Sequence, residues 1–119
     1  MSSENLPPDI QQKIRNFQVL QANLQSMNEQ KFQLEAQLKE IASAKESLQN
    51  ATDETKIFKS IGGLMIESSK EKANADLDES EEILSTRIKK MDLTIEKSKA
   101  KYDEMKNDIN SSLKNRMGW

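Results

Sequence analysis

The sequence predicts a mainly α-helical protein, namely a long antiparallel α-helical coiled-coil hairpin with one β-hairpin between its two helices. Two polar stretches of nearly equal length carry heptad-spaced apolar residues, and they flank one short apolar island at residues 57–66. Helices of matched length joined by a β-type linker can fold back on each other. Both chain ends would then lie at one tip of the coiled coil and the strands at the other.

Composition limits what the chain can bury. Of its 119 residues 34% are hydrophobic and 32% are charged, with a net charge of −2. The apolar seams of the helices and the island are therefore the surfaces available for burial. The charges are mixed in sign, as on a solvated coiled-coil surface. We expect a single domain over residues 1–119, with helix 1 over 8–50, the β-hairpin over 56–68 and helix 2 over 70–116.

The first helix keeps one heptad register. With Ile10 at position a, nine of the twelve a and d positions up to Leu48 are apolar, which predicts a coiled-coil seam. The other three positions are lysines 13, 31 and 45. Pro7 and Pro8 suit a first helical turn, where the missing N–H has no partner within the helix.

The second helix also keeps one register, with apolar residues from Leu77 to Ile109 spaced along its a and d positions. Ser68 and Glu71 match the capping-box pattern for its start. When the chain is folded about Gly62, Lys45 and Glu81 come near each other. Such a pair at seam positions would set the alignment of the helices rather than form a site.

The island alternates in the manner of β-strands on either side of Gly62-Gly63, which predicts a tight hairpin turn. A lone two-stranded hairpin is marginal in water, and its edges offer unpaired N–H and C=O groups to other chains. We therefore expect the hairpin to drive oligomerisation. The predicted assembly residues are Ile57, Phe58, Ile61, Gly62, Gly63, Leu64 and Ile66.

Several functions are disfavoured by what the sequence contains. It has no Cys and no His, so we expect no thiolate nucleophile, no Cys/His metal site and no imidazole base. Paired acids such as Asp78 with Glu82 are typical of a solvated helix face, and no phosphate-binding loop is visible. We expect a protein that is not an enzyme and needs no cofactor or metal. The lack of a signal peptide pattern or membrane span predicts a cytoplasmic location, and the balanced charge argues against nucleic acid as a partner.

The run from Lys56 to Ala73, KIFKSIGGLMIESSKEKA, resembles the hairpin and second-helix start of a prefoldin β-class subunit. The leading LPPDIQ and the Gln-rich first helix are also similar to that family. One hairpin indicates the β class, since α-class subunits carry two. The resemblance implies a subunit of a jellyfish-shaped hetero-hexameric chaperone, built with α-class subunits and other β-class copies. Hairpins would form its platform, and coiled-coil tips would hold unfolded proteins for delivery to a cytosolic group II chaperonin.

The residues supply a mechanism for such an ATP-independent holdase. Frayed helix ends at a shared tip would expose apolar seam residues, and several weakly binding tips would hold one client together. The predicted client-binding residues are Leu6, Ile10, Ile14, Phe17, Ile109, Leu113, Met117 and Trp119. Ile14 and Leu113 lie off the main seam, so the partner helix need not cover them, whereas Ile10 and Ile109 also fit a role in closing the coiled coil. The alternative function is a structural coiled-coil adaptor that binds a single defined partner.

Overall fold

The protein consists of two long helices with a two-stranded antiparallel sheet between them in the chain, which confirms the predicted fold class. The computed structural model describes residues 6–117, and side chains for residues 6–116. Helix α1 spans Pro8–Gln49, strand β1 spans Ile57–Ile61, strand β2 spans Leu64–Ser68 and helix α2 spans Lys70–Met117.

The chain divides into two compact units, each containing a segment of both helices. The terminal unit comprises the chain up to Lys31 together with the chain from Met91 onward. The hairpin unit is the segment Phe32–Lys90, which includes both strands. In each unit the two helical segments pack side by side.

The heptad register predicted from the sequence is confirmed in both units. Every predicted a and d position of α1 and α2 is buried or half-buried. The most deeply buried side chains all occupy these positions: Ile10, Leu24, Leu34, Leu48, Leu84, Ile95 and Ile109. Burial of these apolar side chains, together with the helical spacing that brings them to one face, holds the helices together.

In the terminal unit, ion pairs show that the helical segments run antiparallel. Lys13 Nζ lies 3.1 Å from Asp108 Oδ2, and Lys31 Nζ lies 2.5 Å from Asp92 Oδ1. As the residue number rises along α1, the number of its partner on α2 falls. The lysines that interrupt the apolar seam of α1 thus reach carboxylates of α2 and help to fix the alignment.

In the hairpin unit, Lys45 is the lysine of the α1 seam that pairs with carboxylates of α2. Its Nζ lies 2.6 Å from Asp78 Oδ1 and 3.4 Å from Glu81 Oε2, so the expected pairing with Glu81 is present and Asp78 is closer still. The hydrogen bond to Asp78 is the main cause that raises the pKa of Lys45 above its ordinary value of 10.5. Partial desolvation opposes the rise, and the bond to Glu81 adds to it.

The two helices meet the connecting segment through specific end contacts. No basic residue lies in the last turn of α1, but Lys70 Nζ donates to the carbonyl of Ala51 at 3.1 Å. A cation here offsets the partial negative charge at the end of α1. Helix α2 is capped by Ser69, whose Oγ accepts from the Lys72 N–H at 3.1 Å. The predicted capping residue, Ser68, is wrong by one position because Ser68 pairs with Ile57 as the last residue of β2.

The strands are joined by the two-residue turn at Gly62 and Gly63, as the sequence predicts. Both glycines have positive φ, 54° and 83°, which matches the type I′ turn that suits the twist of a tight hairpin. A Cβ atom at either position would meet no heavy atom within 4 Å. The glycines are therefore required by backbone conformation and not by lack of space.

Candidate functional site

The hairpin exposes most of the apolar residues predicted to act in assembly. Phe58 and Ile61 are each 49% exposed, Leu64 is 67% exposed and Ile66 is 47% exposed, whereas Ile57 is half-buried. Such a cluster of large apolar side chains in water is unfavourable unless another surface covers it. Sequence reasoning left out Met65, which is 66% exposed, although the strand alternation contained the signal for it.

The strand register divides these side chains between the two faces of the sheet. Ile61 pairs with Leu64 and Lys59 with Ile66, so these four residues share one face. The Ser60–Met65 and Phe58–Glu67 pairs lie on the other face. Apolar side chains thus lie on both sides of the sheet, and the hairpin can contact other chains through either face.

The edges of the hairpin carry unpaired backbone groups. The turn makes Ile61 and Leu64 a hydrogen-bonded pair, and the antiparallel ladder alternates from there. At the next pair, Ser60 with Met65, the N–H and C=O groups therefore point outward from the hairpin. The same holds for Phe58 with Glu67. Each edge can accept a further strand.

The hairpin is also tied to the start of α2. Lys59 Nζ on β1 donates to Asp76 Oδ2 at 2.9 Å. Both side chains are about half exposed, so the pair contributes little stability but favours one placement of the strand beside the helix.

In the terminal unit, the structure places the predicted client-binding residues at different depths. Ile10 is 5% exposed and Ile109 is 9% exposed, so both belong to the buried seam. Phe17 stacks against Tyr102 of α2 with ring centroids 4.7 Å apart. Lys13 contacts both Asp108 and Ser112, which shows that these helical segments lie side by side.

The off-seam residues are more covered than we expected. Ile14 and Leu113, the two predicted off-seam residues, are both half-buried, and so is Leu6, which precedes α1. Ile14 and Leu113 each follow a d position directly, which places them at the flank of the seam rather than on the outer face. Trp119 and the side chain of Met117 lie outside the described residues. In this unit Val19, which the sequence reasoning passed over, is 61% exposed.

Within residues 6–117, no group of three or more acidic side chains is arranged to hold a metal ion. No helix in the described part of the chain is long and apolar enough to cross a membrane.

These features define a class of protein, namely one in which two long heptad-patterned helices are joined by a β-hairpin with exposed apolar side chains. The sequence profile described as "Prefoldin subunit" matches residues 11–116. The chain belongs to the prefoldin family, and the resemblance to β-class subunits is confirmed by its relatives. It is therefore a subunit that assembles with other prefoldin subunits.

Relatives match over nearly the full length of this chain. It is 32% identical to the prefoldin subunit beta of Archaeoglobus fulgidus, over 95% of this chain and 97% of that one. It is 34% identical to the prefoldin subunit beta of Methanosarcina acetivorans, over 95% of this chain and 96% of that one. The crystal structure of the prefoldin beta subunit from Thermococcus strain KS-1 matches with a TM-score of 0.83 and 28% identity, covering 92% of this chain and 96% of that one.

Proposed function

We propose that this chain is a subunit of a cytoplasmic hetero-hexameric holdase, in which it joins α-class subunits and other β-class copies. The complex binds unfolded proteins without ATP and passes them to a group II chaperonin. The observation that carries the proposal is the exposed apolar hairpin on a coiled coil of the prefoldin family. No cofactor, metal or catalytic group takes part in this mechanism, and the chain acts as a binding protein rather than an enzyme.

Assembly is the role of the hairpin. Its apolar side chains on both faces and its unpaired strand edges provide contact area and backbone hydrogen bonds for neighbouring subunits. The predicted assembly residues Ile61, Leu64 and Ile66 lie on one face, so a single neighbour can cover all three. The resulting complex would bring several terminal units within reach of one client.

Client capture is the role of the terminal unit. The half-buried residues Ile14 and Leu113 flank the seam there, and half-buried Leu6 directly precedes α1; their exposure increases when the last helical turns fray. Each terminal unit then presents a small apolar patch that binds weakly. Several such units in one assembly raise the apparent affinity through effective concentration, which suits clients of mixed sequence.

The rival function is a coiled-coil adaptor with a single defined partner. It would account for the buried seam but would leave the exposed apolar hairpin without a role. If the adaptor hypothesis is right, a chain in which a short polar loop replaces residues 57–68 keeps its oligomeric state. The holdase hypothesis predicts that this chain dissociates into smaller species.

Aggregation of a chemically unfolded test protein provides the test of capture. We expect the triple variant Ile14→Ser, Leu113→Ser, Met117→Ser to suppress aggregation less well than the natural chain while retaining its helicity and assembly mass. The matched control is Val19→Ser, which removes an exposed apolar side chain of the same unit away from the chain ends. Equal suppression by the triple variant and the natural chain would refute capture by the terminal unit.

A further inference from the structure

An ion pair connects the strands of the hairpin unit to helix α2. Lys59 is the central residue of β1, and its Nζ donates to Asp76 Oδ2 at 2.9 Å. The structure describes both strands completely, and no other side chain of theirs forms a hydrogen bond or ion pair with a described helix residue. This contact is therefore the polar link between the sheet and the helices.

Packing alone fixes the placement of the strands weakly. At the base of the hairpin Ile57 and Ser68 are half-buried, and all other residues of the two strands are exposed. Exposed side chains gain little from burial, so few apolar contacts hold the sheet in one orientation. The ion pair thus has more influence on the placement of the hairpin than an exposed pair usually has.

A second lysine fixes the segment from which the strands extend. Lys70 Nζ donates to the carbonyl of Ala51 at 3.1 Å and lies 3.5 Å from the carbonyl oxygen of Gln49. These contacts join the end of α1 to the start of α2 at the base of the hairpin. The movement that remains is a swing of the strands relative to α2. The Lys59–Asp76 pair restrains this swing, because it joins the middle of β1 to the second turn of α2.

We propose that Lys59 and Asp76 form a positioning pair for assembly. The pair holds the hairpin in the orientation in which its exposed apolar side chains contact a neighbouring subunit. A chain without the pair samples several orientations, so a smaller fraction of its encounters with a neighbour leads to assembly. The proposal rests on the assembly role of the hairpin, and it names the residues that make the hairpin competent for that role.

The size of the effect follows from the exposure of the pair. The side chains of Lys59 and Asp76 are 52% and 47% exposed, so water and salt weaken their attraction. Exposed pairs of this kind shift an equilibrium by about two- to fivefold. The competent fraction of hairpins should fall by that factor when the pair is removed, and the association rate constant should fall with it.

The rate of assembly tests the proposal. The chain is mixed with the other subunits of its native assembly, and the initial rise in mass is followed by time-resolved light scattering. We expect Lys59→Met to lower the association rate constant about two- to fivefold at low salt. Lys56→Met is the matched control and should assemble at the natural rate. Lys56 is an exposed lysine next to β1 that pairs with no carboxylate among the described residues.

Exchange of the two charges separates positioning from direct contact with the neighbour. Lys59→Asp places two carboxylates together, so it should slow assembly more than Lys59→Met does. Adding Asp76→Lys restores the attraction and should return the rate to within about twofold of that of the natural chain. A neighbour that contacted Lys59 directly would still meet the wrong charge in the double variant, and the rate would stay low.

Salt provides a readout that a purely structural role would not change. At about 1 M NaCl the Debye length falls to about 3 Å, which screens exposed charges. The ratio of the natural rate to the Lys59→Met rate should approach one there. The free energy of unfolding should be nearly the same in Lys59→Met and Lys56→Met, because Asp76 stays half exposed to water and Lys72 lies one turn before it.

The positioning role is overturned by any of four results. These are a natural rate in Lys59→Met, no recovery on charge exchange, an unchanged rate ratio at high salt, or easier unfolding of Lys59→Met than of its control. The double variant Ile61→Asp, Leu64→Asp separates such a failure from failure of the assembly role. A natural rate in that variant would overturn both ideas, whereas its failure to assemble, with a natural rate in Lys59→Met, would refute the positioning pair alone.

Discussion

Truncating Ile95 to alanine should destabilise the protein markedly, because this side chain is buried in the seam of the terminal unit and only 5% exposed. Removing the buried methyl and methylene groups of an isoleucine costs about 2–5 kcal/mol in the free energy of unfolding. The seam is a single layer between two helices, which lets the site partly collapse, so we expect a cost of about 2.5 kcal/mol. With an unfolding entropy of roughly 0.25 kcal/mol/K for a chain of this length, Tm should fall by about 10 °C.

The matched control is Leu93→Ala, on the same helix two residues earlier. Leu93 is 59% exposed and lies off the seam, so its truncation should change the free energy of unfolding by no more than about 0.5 kcal/mol. Thermal unfolding is followed by circular dichroism at 222 nm, at one fixed protein concentration because assembly makes Tm concentration-dependent. Equal losses of Tm in the two variants would refute the heptad register on which the packing argument depends.

Three further outcomes follow from local features. The stabilisation that Lys45 gains from its carboxylate partners should be fully present below pH 10.5 and be lost as the pH rises through the raised pKa of Lys45. The Tm of Lys45→Met should therefore fall less than that of the natural chain when the pH is raised through this range. Ser69→Ala should lower the free energy of unfolding in urea by about 1 kcal/mol, and Ser68→Ala by distinctly less, because only Ser69 caps α2. A larger loss in Ser68→Ala would show that Ser68 is the capping residue. Suppression of aggregation should proceed without ATP and with a chelator present, and a strict need for nucleotide or metal would contradict the holdase mechanism.

The helices and the turn could be predicted from the sequence because their causes are local and periodic. Apolar residues at heptad spacing mark the face that must be buried, and Gly62-Gly63 marks the one place where two successive positive φ angles are tolerated. The pairing of Lys45 with Glu81 could be predicted because two helices of nearly equal length fold back on each other about the turn. These predictions needed no knowledge of how other elements are placed.

Other features depend on tertiary placement and could not be predicted. The cap of α2 falls on Ser69 because strand pairing extends to Ser68. Only Ser68 has a Glu three residues later, so the capping-box pattern indicated the wrong one of the two adjacent serines. The cover over Ile14 and Leu113 depends on how closely the helices approach at the flank of the seam. The pairing of Lys59 with Asp76 depends on where β1 lies beside α2, which the sequence does not specify.

The mass of the assembly in solution tests the central claim, that the exposed hairpin joins this chain to other subunits. Multi-angle light scattering should show that the double variant Ile61→Asp, Leu64→Asp forms smaller species than the natural chain, with helicity unchanged by circular dichroism. The control is Phe32→Asp with Leu93→Asp, which adds two charges at exposed apolar positions on the helices and should keep the natural mass. An unchanged mass in the hairpin variant would contradict the claim.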